Sequence, residues 1–563
     1  MSNQSLISCL KKIVGRRYVL TSERATAPFR KGFREGQGPA LAVVKPSTLW
    51  QQWQLLETCV KAKVIVIMQA ANTGLTGGST PIQGCDRNTV IINTTRINDI
   101  QVLAPQQQIV AFPGASLFSL EKALAPYGRV PHSVIGSSCI GASIVGGICN
   151  NSGGALVERG PAYTELALYA QVNQDGTLSL INELDIKLGN TPEEILNNLQ
   201  NKKYSIEDIK TTNKLASDRD YADWVRQTGD DTPARFNADP RRLNQASGCA
   251  GKLAVFAVRV DTFLKNEEEH TFYLGTNSTQ ALQKVRKTLL EKSTHLPVYA
   301  EYLHRDTFEL ADNYGRDTVL LIKYLGTNWL PKIFNIKRQL DSLSERIPFL
   351  KQGFVDKVIY KLATLFPSQT PQKLHQWNKT FEHQLILTVK GHVKEETESL
   401  LDDIKNKHDL NYFLCSETDA KSAYLLRFAA AGAAIQYAAI NHQEVESIVA
   451  LDIALKRNDS DWFETLPEEL SGKLVNKLYY GHFLCHVFHQ DYLVRKGEDA
   501  KAIKKAMLLL LEKRGAEYPA EHNVGHQYDA KPPLADNYKK LDPTNTFNAG
   551  VGGMSKKLNY DQQ

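Results

Sequence analysis

Two stretches rich in Gly, Ser and Asn constrain this chain more than any other feature. They are Ala70-Ala71-Asn72-Thr73-Gly74-Leu75-Thr76-Gly77-Gly78-Ser79 and residues 133–154, SVIGSSCIGASIVGGICNNSGG. The first follows Val64-Ile65-Val66-Ile67-Met68, a β-branched apolar run that reads as a buried strand. A strand feeding a loop of small residues lets backbone N–H groups converge on one spot, because no Cβ blocks the approach. Such a nest suits the two negative charges of a pyrophosphate. Neither stretch fits GxGxxG or GxxxxGK(S/T), so the Rossmann turn and the P-loop are both excluded. Two tight turns without a ligand remain the plain alternative.

With 563 residues the chain is too long for one core, and two or three domains are expected. No run of about 18 apolar residues occurs, so no spanning helix is expected. The Ala-rich segment 428–440 reads as a core helix. The opening MSNQSLISCLKKIVG lacks the long apolar stretch of a secretory signal. Cysteines at 9, 59, 85, 139, 149, 249, 415 and 485 stand singly, with no CxxC. They read as reduced thiols of a cytoplasmic compartment, so any membrane contact is expected to be peripheral and on that side.

The net charge of +6 is unevenly spread. Segment 329–379 carries nine Lys/Arg against three acids, an excess equal to that of the whole chain. Trp329, Phe334, Phe349, Phe354, Tyr360, Phe366 and Trp377 are interleaved with those charges. Basic residues alternating with large apolar ones suit an anionic lipid surface with shallow insertion; a solvated basic helix pair is the bland reading. No nucleic-acid-binding motif accompanies the patch, and no nucleic acid partner is expected.

Strands are expected at 41–44, 64–68, 89–93, 109–112, 166–172 and 253–260, and helices at 5–15, 48–62 and near 500–514. This is an α+β pattern rather than a regular βαβ array. The two Gly-rich stretches resemble the FAD loops of the vanillyl-alcohol-oxidase (PCMH-type) flavoprotein superfamily. With SGCAGKLAVFAVRVDTF (247–263), ALDIALKRND (450–459) and the tail segments AEHNVGHQYDA and DPTNTFNAG, nearly the whole chain is similar to the bacterial respiratory, quinone-linked D-lactate dehydrogenases. The resemblance implies a PCMH-type FAD-binding domain of two α+β subdomains at 1–263, completed by 515–563, and an α+β cap domain at 264–514. It also implies a basic membrane-contact insertion at about 304–379.

In that family the first loop holds the FAD pyrophosphate, which assigns Ala70, Ala71, Asn72, Thr73, Gly74, Gly78 and Ser79 to the cofactor. Gly136, Ser143 and Gly153 of the second stretch, and Val255 on the strand that follows, line the rest of it. The first loop holds no His or Cys, so the FAD is expected to be noncovalent. The tail's EHNVG matches the family's EHGxG except for Asn523, which makes His522 the candidate base beside Glu521; an imidazole titrates near working pH. His482 and His489 keep the spacing of two metal-binding histidines, though the intervening GDGN is replaced here. With Glu521 they form a candidate divalent metal site, such as Zn²⁺, with an open position; on one straight strand, however, residues seven apart face opposite sides. Lining the substrate pocket is the alternative role for these histidines. Arg427 is the candidate for the substrate carboxylate, with Arg305 second, because a planar guanidinium grips two oxygens at once.

The implied activity is oxidation of D-lactate to pyruvate at the cytoplasmic face of the bacterial inner membrane, with electrons passed to a membrane quinone. Two alternatives stay open. One is a soluble FAD-dependent D-2-hydroxyacid dehydrogenase with another substrate or acceptor, such as D-2-hydroxyglutarate or an electron-transfer flavoprotein. The other is a flavin-containing membrane scaffold without turnover.

Overall fold

The computed structural model describes residues 1–132, 141–266, 268–325, 333 and 353–561. Gly136, Cys139 and, within the basic stretch 329–379, residues 329–332 and 334–352 lie outside the described residues. Three larger sheets and one two-stranded ribbon organise the described residues. The first has strands β1 (Val19–Leu20), β2 (Ala42–Val44), β3 (Ile65–Gln69) and β4 (Thr89–Asn93) in the order β1-β2-β4-β3. Strands β2 and β3 pair with β4 in parallel. Sides that are buried twice over explain why these strands read as unbroken apolar runs.

The second sheet is antiparallel: β5 (Ile100–Leu103), β6 (Gln108–Ala111), β8 (Ala167–Val172), β9 (Leu178–Asn182) and β10 (Ala254–Asp261), in the order β5-β6-β10-β8-β9. Between them β7 (Arg129–Val130) pairs with β11 (Phe263–Leu264). The third sheet carries β12 (Glu269–Thr276), β13 (Tyr299–His304), β14 (His383–Lys390), β15 (Asn411–Leu414), β16 (Val445–Ala454), β17 (Leu474–His482) and β18 (Val487–Arg495). Its order is β15-β12-β14-β13-β17-β18-β16, antiparallel throughout.

Helix Glu417–Ile440 lies across this third sheet and is capped by Ser416 and Asp419 in a reciprocal box. By length and composition it could cross a bilayer, which the search for unbroken apolar runs did not flag. Its Ala423, Leu426, Ala430, Ala433 and Ala434 share a core with Tyr273, Leu303 and Ile386 of the sheet. Small residues let one side of the helix settle close to the strands, while Phe428 and Ile435 stay exposed on the side that lines the large cavity.

The tail returns to the first sheet. Val66 N–H donates to the Thr546 carbonyl, and Asn548 N–H to the Val66 carbonyl, so Phe547 pairs in parallel beside β3. Lys252, fully buried, pins this tail: its Nζ donates to Asn545 Oδ1 at 2.7 Å and to the Phe547 carbonyl at 2.9 Å, with Asp542 at 3.9 Å. Burial lowers its pKa to about 8 against the pull of Asp542. Removing one partner from such a buried set leaves the others uncompensated. Lys252→Met is therefore expected to lower unfolding free energy by about 3–5 kcal/mol and to loosen residues 542–550, which denaturant titration and hydrogen exchange of the tail amides will show.

Candidate active site

One cavity of about 4250 Å³ runs between the three sheets, and both Gly-rich segments open onto it. Ala70, Ala71, Asn72, Thr73, Gly74, Gly78, Ser79, Ser143, Gly153 and Val255 all line it. The first loop is held open by its own polar residues. Asn72, at φ +55°, donates from Nδ2 to the Lys31 carbonyl at 2.9 Å, and Ser79 Oγ donates to Asn72 Oδ1 at 2.9 Å. Asn tolerates this left-handed backbone better than most residues. A Cβ built on Gly74 meets no atom within 4 Å, although the residue lines the cavity. Ser143 is differently engaged: its Oγ accepts from Gly146 N–H and caps helix Ile144–Cys149.

The tail supplies the opposite wall. Asn523, which stands where the resembling motif has Gly, joins the tail to both loops. Its Nδ2 donates to Asn150 Oδ1 at 3.0 Å, its Oδ1 accepts from Gly525 N–H at 2.6 Å, and its side chain lies 2.5 Å from the Cβ position of Gly78. His526 faces away from this chemistry, with Nε2 on the Thr80 carbonyl at 2.9 Å.

His482 and His489 meet on one face because the chain turns between them. β17 ends at His482, a short turn through Phe483–Cys485 follows, and His486 at φ +53° starts the return along β18. In the hairpin His482 stands opposite Val487 and His489 opposite Tyr480, which makes the two histidines diagonal neighbours. Their rings are 5.3 Å apart. His482 Nε2 lies 3.2 Å, and His489 Nε2 3.9 Å, from the same oxygen, Glu521 Oε2. His486 is buried on the other side with Nδ1 on the Lys456 carbonyl.

Each histidine is aimed by a carboxylate behind it. Glu301 Oε1 holds His482 Nδ1 at 2.6 Å, and Asp452 Oδ1 stands 3.3 Å from His489 Nδ1. Asp452 Oδ2 also accepts from the backbone N–H of Glu521 and of His522. The other Glu521 oxygen pairs with Arg235, whose guanidinium is buried and also donates to the Gly154 and Arg159 carbonyls. A Cβ on Gly153 would collide with the Glu521 carboxylate, so glycine there serves Glu521 as well as the cavity.

The electrostatics follow from this packing. Burial opposes the charge on Glu521, yet Arg235 and His482 hold its carboxyl well below the usual range. Burial likewise opposes a proton on His482, but Glu301 and Glu521 raise its pKa to about 10. Glu301 and Asp452 are also lowered despite burial, the first by His482 and Arg427, the second by His522 and His489.

His522 completes the wall. Its ring stacks on that of His489 at 6.2 Å and 18°, and its Nε2 is 4.0 Å from Asp452 Oδ2. Arg427 reaches the same cavity from helix Glu417–Ile440. Its Nε pairs with Glu301 Oε2 at 2.9 Å without hydrogen-bond alignment, and its guanidinium lies 4.6 Å from the Tyr480 ring centre. Arg305, the second arginine considered, is excluded from this site: its Nε donates to the Asn378 carbonyl, and it does not line the cavity.

Sequence reasoning passed over Glu301, Asp452 and Arg235. The two acids carried a readable signal, since each interrupts an apolar strand run, YAEYLH and VALDIA. An acid buried in such a run needs a partner. Arg235 sits in a loop and carried none.

Comparison with known proteins places this geometry in a family. A family model described as D-lactate dehydrogenase, membrane binding, matches residues 271–560, and one described as FAD binding domain matches 40–180. A quinone-dependent D-lactate dehydrogenase of Haemophilus influenzae is 53% identical over 559 residues, 99% of this chain and 99% of its own. The chain belongs to the quinone-dependent D-lactate dehydrogenase family. The Escherichia coli member is 51% identical over 561 residues, covering 100% of this chain and 98% of its own. Among solved structures, p-cresol methylhydroxylase with substrate bound superposes with a TM-score of 0.58 at 13% identity, over 98% of this chain and 97% of that one. The α+β fold is therefore PCMH-type, and FAD is the cofactor of the family.

The first loop generates a test that separates cofactor contact from protein packing. Gly74→Ala adds a Cβ that meets no protein atom, whereas Gly78→Ala must displace Asn523. Both are expected to weaken FAD binding about tenfold or more, ~1.4 kcal/mol. Only Gly78→Ala is expected to lower the thermal midpoint of protein stripped of flavin.

Proposed function

We propose that this chain oxidises D-lactate to pyruvate and delivers the electrons to a quinone, working at the cytoplasmic face of the inner membrane. The observation that carries the reading is His522, stacked on the carboxylate-anchored His489 and lining, together with Arg427, the cavity onto which both Gly-rich loops open. Identity of 53% and 51% to quinone-dependent D-lactate dehydrogenases over essentially full length supports the substrate and the acceptor. Bound noncovalently in the two-loop cradle, FAD supplies the two-electron acceptor for the hydride from C2.

The chain's own groups supply the rest. Arg427 has its Nε turned to Glu301 and, among the described residues, makes no hydrogen bond through its Nη groups. A planar fork held from one side suits a substrate carboxylate. The imidazole of His522, with Nε2 toward Asp452, takes the hydroxyl proton at Nδ1, and the Asp452 carboxylate stabilises the imidazolium that results. Glu521 holds the hairpin histidines against the second loop.

His482, His489 and Glu521 also fit a divalent cation such as Zn²⁺. Their ligand atoms lie within 4.8 Å of one another, and Asp452, His489 and His522 form an overlapping set. Tetrahedral ligands on zinc stand about 3.4 Å apart, close to the 3.2 and 3.9 Å here. Nδ1 of each histidine is already taken by a carboxylate, the arrangement that orients metal-bound imidazoles. A cation there would polarise the substrate hydroxyl oxygen.

Membrane association belongs to the family, and the described part of the basic stretch supports a peripheral mode of docking. Helix Phe354–Thr364 and the residues after it expose Phe354, Val358, Leu362, Leu365 and Phe366. The first three follow an i, i+4, i+8 stripe, with Lys357 and Lys361 beside it. Such a face lies in the headgroup layer rather than across it.

Two measurements check these assignments. Anaerobic D-lactate is expected to bleach the flavin where L-lactate and D-2-hydroxyglutarate do not, and no bleaching by D-lactate would overturn the substrate. His522→Ala is expected to keep its FAD while flavin reduction slows by about 10²–10⁴. Separately, the protein is expected to sediment with liposomes containing phosphatidylglycerol and to be released as salt rises; indifference to lipid charge would refute the docking mode.

A further inference from the structure

Glu301 touches both halves of the candidate site with one carboxylate. Its Oε1 holds His482 Nδ1 at 2.6 Å and its Oε2 pairs with Arg427 Nε at 2.9 Å. The first contact is set by strand register, because Glu301 and His482 are direct partners across β13 and β17. The second is set by helix Glu417–Ile440, which brings Arg427 down onto the same face of the sheet. Glu301 is 3% exposed and lines the cavity.

We infer that Glu301 is a positioning residue that aligns the substrate arginine and the cation-facing histidine together. Turned to Glu301 through Nε, Arg427 keeps both Nη groups for the substrate carboxylate. Held at Nδ1, His482 must present Nε2 toward Glu521 and the second loop. Without Glu301, Arg427 keeps, among the described residues, its stacking on Tyr480, and the His482 ring is held by Glu521 at Nε2 with nothing fixing Nδ1. Side-chain carboxylates behind histidine ligands tune cation affinity in this way, and a fork that grips a carboxylate depends on fixed orientation. The inference rests on the roles proposed above for Arg427 and for the His482, His489 and Glu521 cluster.

The test uses the flavin-loaded enzyme carrying Glu301→Gln, which keeps the shape and removes the charge. Pyruvate binding is read from the flavin difference spectrum, Zn²⁺ retention from metal content during chelator titration, and flavin content from absorbance. Flavin content is expected to stay at the wild-type level. Pyruvate Kd is expected to rise about tenfold or more, and Zn²⁺ to be lost at about 10–100-fold lower chelator concentration. Combining Glu301→Gln with Arg427→Lys is expected to weaken pyruvate binding less than the sum of the two single changes, the mark of coupled residues.

Unchanged pyruvate affinity per bound flavin, or strictly additive effects, would overturn the inference. A wild-type protein that binds no Zn²⁺ would refute the cation reading alone, and the pyruvate arm, which needs no metal, would still decide the role of Glu301. Should Glu301→Gln fail to load flavin, Glu301→Asp carries the same measurements: it keeps the charge and shortens the reach by one methylene. Pyruvate affinity below wild type with normal flavin then supports positioning, and wild-type affinity overturns it.

Discussion

The ion pair between Glu521 and Arg235 is the contact on which the rest of the site depends. A carboxylate with almost no exposure is costly to bury unless a cation meets it. Arg235 meets one oxygen, and the hairpin histidines face the other. Arg235 also donates to the Gly154 and Arg159 carbonyls, so the same guanidinium fixes the end of the second Gly-rich segment. Tail, third sheet and cofactor loop thus converge on one buried charge. Gly153 beside it leaves room for that convergence, since a methyl group there would occupy the space of the carboxylate.

Around this contact the sheet builds a repeated device: a carboxylate behind Nδ1, an imidazole, and Nε2 toward the same oxygen of Glu521. Glu301 and Asp452 play the outer part on different strands, β13 and β16. Asp452 adds a covalently distant tether, accepting from the backbone of Glu521 and His522, and so docks the tail onto the edge strand of the third sheet. The charges alternate through the cluster, which is why Glu521 remains ionised and His482 remains protonated in spite of burial. A divalent cation would satisfy the same alternation in place of the histidine proton.

Much of this was legible in the residues. The strand–loop pattern at 64–79 appears as β3 and the first loop because β-branched residues commit the run to a strand, and small residues leave its end open. The histidines and Glu521 were legible as a set through the resemblance to the family's motifs, whose spacing they keep. Their opposite-face problem disappears in the hairpin, where the turn at Phe483–His486 reverses the chain and makes the i, i+7 pair diagonal neighbours. Arg305 misled because an arginine beside a histidine on a strand end says nothing about the side of the sheet it serves. The transmembrane-like helix shows the converse: length and composition make it a membrane candidate, and the structure packs one side of it, through Ala423, Leu426, Ala430, Ala433 and Ala434, against Tyr273, Leu303 and Ile386.

By itself the sequence determined the strands and helices around the first Gly-rich loop, where the chain leaves room for a cofactor's phosphates, and which side chains can trade a proton or grip a carboxylate. Those are local properties: periodicity, missing Cβ atoms and side-chain pKa. Only the tertiary structure decided which acids stand behind the histidines, that Arg427 rather than Arg305 faces the cavity, and that Asn523 links the tail to both loops. These pairings join residues up to hundreds of positions apart. They are fixed by strand register and by the energetic demand that every buried charge find a partner, which no single stretch of chain can express.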